Sequence, residues 1–235
     1  MPDRPDPAMT RQRRSGSRPA GLTNLLPIAR LEAFSDGVFA IAITLLVLNL
    51  KVPDAPERLL GQLADEWPAL LGYLVSFAFI GGSWVAHASL THLLRATDGV
   101  FLGLNLMLLL FVSLLPFTTD LLTKHLTDAG QRVAVVTFGI NLTLAVLVAS
   151  TLVSYAARAD GLTHQADRVE LAWLERERWL GTGLLALSTA LSAVVPAVAA
   201  IFYLVVSTLL ISQPIRRLHR WGRTRRRRAE AGSAK

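Results

Sequence analysis

The chain has no cysteine. Disulfides and thiolate metal sites are therefore excluded. Charge is also scarce: Asp, Glu, Lys and Arg make up 17% of residues, against about 25% in soluble domains. The charges that exist crowd into the two ends and a few short gaps. No gap is long enough to hold a domain of its own. Residues 1–20 are rich in Pro and Arg and lack an apolar core, so they do not read as a signal peptide. There is no Walker sequence, which excludes an ATP-driven pump of the common kind. There is no TVGYG-type carbonyl filter and no helix with Arg at every third position. No Ser-His-Asp or His-Glu pattern points to an enzyme, and no cofactor is implied.

What remains is apolar: 52% of the 235 residues are hydrophobic. A membrane span needs about 20 such residues. Six hydrophobic segments can be placed, the fifth and sixth short and weakly separated, so the expected fold is all-α with six transmembrane helices. They run over about 33–50, 67–90, 100–122, 133–155, 170–195 and 196–211. Trp67-Pro68 opens the second, with Trp at an interface and Pro in a first turn. Pro116 predicts a kink in the third. Between the fifth and sixth, Val194-Val195-Pro196-Ala197 is the one plausible turn; a single kinked helix is the alternative. The domain expected is residues 28–220, between basic disordered tails at 1–27 and 221–235.

Orientation follows from the basic residues. With both termini in the cytoplasm, inside segments hold twenty of the 24 Lys and Arg and outside gaps hold four. That bias supports an even number of spans, both ends inside, in a multi-pass cell-membrane protein. The net charge of +7 comes largely from the tails, where Arg225 to Arg228 form one run. Beside a membrane such clusters suit anionic lipid headgroups rather than nucleic acid.

Polar residues inside apolar helices carry the most information. Ser35 and Asp36 follow Phe34 at the start of the first span. A carboxylate at mid-membrane costs about 2.5–3.5 kcal/mol on insertion scales, so it needs a partner, a cavity or an ion path. Either residue could also simply cap the helix. Arg30 and Glu32 lie just before them. The second span carries Trp84 and His87, at i and i+3 on one face, and the third carries Asn105. Each needs a hydrogen-bond partner in an apolar setting. All lie in the cytoplasmic half, so a shared network is the better reading. His87 has no second ligand at metal spacing, and no fixed metal site is expected.

Further along the first span, Ile41, Leu45 and Leu48 recur at i, i+4 and i+7. They form a stripe about 10 Å long, with Thr44 beside it. Taken alone, such a stripe reads as packing or lipid contact. Asn49 stands at its outer end, where an acidic residue would suit a cation path.

The segment Arg30-Leu-Glu-Ala-Phe34-Ser35-Asp36-Gly-Val-Phe-Ala-Ile-Ala-Ile-Thr44 resembles the first helix of the bacterial relatives of the animal lysosomal potassium channel. The shared hallmark is Arg, three residues, then Phe-Ser-Asp. Trp84-Val-Ala-His87, Asn105 and Ser113-Leu-Leu-Pro116-Phe extend the resemblance. It implies a homotetramer of six-helix subunits with the first helices around a central pore. Ile41, Leu45 and Leu48 would form the constriction, with Thr44 a polar neighbour, and potassium ions would pass. Arg30, Phe34, Ser35, Asp36, Trp84, His87 and Asn105 would tie the helices together. A ring of aliphatic side chains offers no fixed oxygens, so modest selectivity is expected. Two other readings stay open: a proton-coupled transporter or proton pathway using Asp36 and His87, and a non-conducting membrane scaffold.

Overall fold

The first helix does not begin at the polar triplet. In the computed structural model, which describes residues 27–52, 56–159, 161–163, 168–192, 194 and 203, α1 spans Ile28–Leu45 and continues as a 3-10 turn over Leu46–Asn49. Pro27 precedes it; its fixed φ and missing N–H suit an N-terminal boundary. Ser35 and Asp36 therefore sit two turns inside α1, and the capping alternative falls. The span is also longer at its start than the apolar run suggested. The amphipathic residues from Ile28 onward already bury a face, with Leu31 in the core.

A short helix, α2 (Leu59–Asp65), follows with no buried residue. Then come α3 (Trp67–Thr91), α4 (Gly99–Ser113), α5 (Leu115–Lys124), α6 (Gln131–Arg158) and α7 (Arg168–Ser192). Pro68 lies in the first turn of α3, where its missing N–H costs nothing. Asp98 caps α4: its Oδ1 accepts the Phe101 N–H at 2.8 Å. Among the described residues, four helical segments are long and apolar enough to cross a membrane: Ile28–Asn49, Trp67–Thr91, Gly99–Lys124 and Gln131–Arg158. They coincide with the first four expected spans. α7 begins at Arg168, two residues before the start expected for the fifth span, and its first turns are charged. The sixth expected span and both tails lie outside the described residues. Tyr203 is the exception; it is helical and buried, its ring 5.7 Å from that of Phe138.

The expected break at Pro116 divides α4 from α5 at Leu114. Proline has no N–H for the Val112 carbonyl four residues back, which interrupts the helical ladder. Polar side chains gather at this break. The Asn141 amide on α6 donates to the Phe111 carbonyl and to Thr118 Oγ1, each at 3.2 Å. Thr119 Oγ1 donates to the Leu115 carbonyl at 2.6 Å and shares a 2.6 Å hydroxyl bond with Ser76 of α3.

The helices pack around two apolar clusters. One lies toward the N-terminal end of α1 and includes Leu31, Leu90, Phe101 and Leu152. The larger one fills the rest of the bundle, around Phe39, Leu46, Ile80, Val112 and Leu142. α6 and α7 are joined by paired hydroxyls, Thr143 with Thr189 at 3.0 Å and Ser150 with Thr182 at 2.8 Å. Below these, Glu175 Oε1 accepts from Ser154 Oγ and from the Arg158 guanidinium, and Trp179 Nε1 donates to Ser154 Oγ. The connection after α6 is pinned to the one after α3. Leu94 and Thr163 form an antiparallel bridge, and the Arg95 N–H donates to the Leu162 carbonyl at 2.7 Å. Gly161 turns the chain there with φ +85°, a region that disfavours side chains.

Candidate functional site: the two faces of α1

α1 presents one face to the rest of the chain. Leu31, Ser35, Phe39 and Ala42 are buried, and Leu46 continues that face into the 3-10 turn. The spacing of three and four follows the helical period. A leucine, a serine, a phenylalanine and an alanine share this face, so it is polar at one level only. At that level Ser35 is fully buried and its Oγ accepts from Asn105 Nδ2 of α4 at 3.0 Å. Asn105 Oδ1 in turn lies 2.8 Å from His87 Nε2 of α3. A carboxamide oxygen only accepts, so Nε2 carries the proton and donates. The Phe39 ring covers the imidazole, with centroids 5.6 Å apart. Three helices thus meet through a serine, an amide and an imidazole, all buried.

Asp36 stands outside this line. Its Oδ1 accepts from Trp84 Nε1 at 2.8 Å, on an exposed part of the subunit surface. Trp84 is 44% exposed. The sequence grouped Trp84 and His87 on one face of α3. In the fold they take separate partners, Trp84 the carboxylate and His87 the amide. Arg30 and Phe34 do not join either pair. Phe34 is 56% exposed, and Arg30 forms no ion pair among the described residues.

The opposite side of α1 is apolar and open. Ile41, Leu45 and Leu48 are 61%, 42% and 73% exposed. Thr44 is exposed beside them; its hydroxyl donates back to the Ala40 and Ile41 carbonyls at 2.9 and 3.0 Å. Its polarity is thus partly spent on its own helix. No three His, Asp or Glu converge as a metal site among the described residues.

Sequence reasoning passed over one tie at the far end of α1. Asn49 was noted only for not being acidic. Its Nδ2 donates to the Pro116 carbonyl of α5 at 3.2 Å. The signal was available: an amide closing an apolar run needs a partner.

The sequence model of a family described as the endosomal/lysosomal potassium channel TMEM175 matches residues 30–116, the stretch that contains both faces of α1 and their partners on α3 and α4. A potassium channel of Chamaesiphon minutus is 43% identical over 169 residues, which cover 69% of this chain and 83% of that protein. A potassium channel of Streptomyces collinus is 34% identical over 185 residues, covering 74% and 90%. The bovine endosomal/lysosomal proton channel TMEM175 is 34% identical over 155 residues, but these are only 31% of that longer protein. Among solved structures, the lysosomal potassium-selective channel TMEM175 homolog of Chamaesiphon minutus superposes with a TM-score of 0.72 at 34% identity. The match covers 80% of this chain and 97% of that one.

Proposed function

The chain belongs to the TMEM175 family, and from that premise we propose that it is a potassium-permeable cation channel working as a homotetramer. Each subunit contributes six spans, with both termini in the cytoplasm. Four copies of α1 surround the axis, and Ile41, Leu45 and Leu48 form the constriction. Thr44 contributes a polar rim between them. Ions pass by diffusion down their electrochemical gradient. Opening requires the leucine and isoleucine rings to widen, because a narrow apolar constriction expels water and so blocks ions.

One observation carries this reading. Among the four membrane-length segments the first is the least buried by the rest of the chain, 28% against 33% for α4–α5, 39% for α3 and 56% for α6. The open part of α1 is also organised: bulky aliphatic residues stack on one line, and the polar ties are gathered on the other faces. A helix at the rim of its own subunit with such a line suits a symmetric axis. The Ser35, Asp36, Trp84, His87 and Asn105 contacts then hold α1 in pose rather than meeting the ion. Basic tails on the cytoplasmic side would rest on anionic headgroups.

Potassium flux from liposomes holding the purified protein tests the reading. Flux no greater than that of empty liposomes, across a range of pH, would sink it. A transporter that uses Asp36 and His87 would instead saturate with potassium and move protons in fixed ratio. A scaffold would show no conductance for Leu45→Ala to alter.

A further inference from the structure

The outer end of α1 changes its winding. Leu45 is the last α-helical residue, and Leu46–Asn49 form a 3-10 turn, closed by the Leu50 N–H on the Val47 carbonyl at 3.1 Å. An α-helix advances 100° per residue, so Leu48 would stand about 60° around the helix from Leu45. A 3-10 turn has three residues per turn and eclipses positions i and i+3. Leu48 therefore stands directly over Leu45, and Asn49 over Leu46. Leu45, Val47 and Leu48 are all open, Leu46 is fully buried and Asn49 is half-buried, so it is the winding and not exposure that pairs Leu48 with Leu45. The rise is larger as well, about 2.0 Å per residue against about 1.5 Å.

Two features hold the turn. Leu46 is anchored in the larger core cluster. Asn49 is fastened to the Pro116 carbonyl, at the start of α5 beside the helix break. Thr44 also engages the Ile41 carbonyl, which loosens the last α-helical turn. From this geometry we infer that Asn49 is a positioning residue for conduction: its bond to Pro116 keeps the outer turn of α1 in 3-10 form and so aims Leu48 at the same line as Leu45. The inference rests on the proposal that α1 lines the ion path. Without the bond the turn relaxes toward α-helix, and Leu48 swings off the line by about 60°.

The absence of native cysteine makes thiol labelling a clean test. Leu45→Cys and Leu48→Cys are made separately, each with Asn49 intact, with Asn49→Ala and with Asn49→Asp. The aspartate matches the amide in shape but cannot donate to a carbonyl. Potassium current across bilayers is followed while a small charged methanethiosulfonate is added, and the rate of current change is read. With Asn49 intact, both positions react at similar rates. In both Asn49 variants the rate at Leu48→Cys falls about two- to threefold, as follows when loss of one ordinary hydrogen bond lowers the equilibrium constant of a mainly 3-10 turn about fivefold, and the rate at Leu45→Cys holds.

An unchanged rate at Leu48→Cys, or equal falls at both positions, overturns the role of Asn49 alone. Current that neither cysteine variant alters overturns the lining of the path by α1, and this role with it. If the Asn49 variants do not assemble, the pattern with Asn49 intact still decides. The 3-10 turn requires Leu48→Cys to match Leu45→Cys and Val47→Cys to lag. Val47→Cys reacting as fast as Leu48→Cys refutes the stacked geometry.

Discussion

The two ends of α1 are fastened in different ways. At the N-terminal end a buried serine, an amide and an imidazole join three helices through two hydrogen bonds, and an exposed carboxylate adds a third through Trp84. At the C-terminal end one amide reaches one carbonyl, and the helix changes its winding beside it. Between them lies a line of aliphatic residues with no polar partner of any kind. The difference teaches that polar residues within a membrane helix need not mark the ion's route. Here they are absorbed by neighbouring helices, and the plain stripe is what the subunit leaves available.

The sharpest way to break this comparison is Asn105→Ala. It strands Ser35 and His87 in the core at once, and each unsatisfied buried group costs about 1–3 kcal/mol. The expected result is a large loss of thermal stability or of assembly, measured in detergent by fluorescence-detected size exclusion. Whatever survives should keep its ion preference. Leu45→Ala should do the opposite. Leu45 is 42% exposed, so truncation costs well under the 2–5 kcal/mol typical of buried leucine. The bore should widen, and the reversal potential between potassium and sodium should move toward zero.

A smaller effect is expected for Asp36→Asn. The amide oxygen still accepts from Trp84, so what is lost is the extra strength of a charged acceptor, about 1 kcal/mol at most on an exposed site. Melting temperature should fall slightly and selectivity should hold. A change in selectivity without one in stability would return Asp36 to the ion path. The smallest effect lies away from α1. At the α5–α6 turn, the His125 imidazole beside Asp128, with the Gly130 N–H, holds that carboxyl below the usual range. A depressed carboxylate favours the fold above its unfolded pKa and loses that contribution as pH falls through the folded one. Asp128→Asn should therefore slightly flatten acid unfolding, measured by melting temperature against pH, and leave conduction alone.

Much of this was readable in the residues, for identifiable reasons. The apolar runs placed the four membrane-length segments because each contains one unbroken hydrophobic stretch. Pro116 announced the break between α4 and α5, since its ring removes a donor wherever it falls. The buried contacts among Ser35, Asn105 and His87 could be anticipated in kind, because each polar group in an apolar helix needs a partner. The assignments within the group could not. Trp84 and His87 lie one turn apart, and only packing decides which meets the carboxylate. α2 was hidden in a gap between spans because it is short and buries nothing. The 3-10 turn left no trace, since Leu-Val-Leu-Asn is equally compatible with α-helix, and what selects the winding is a carbonyl 67 positions away.

The backbone rung between Leu94 and Thr163 has a consequence for how the chain opens to solvent. It brings the segment before α4 and the segment after α6 side by side, so α4, α5 and α6 form a closed circuit whose ends touch. A unit of that kind tends to open and close as one. The amide of Arg95, held by Leu162, should then exchange with solvent no faster than the helices it encloses.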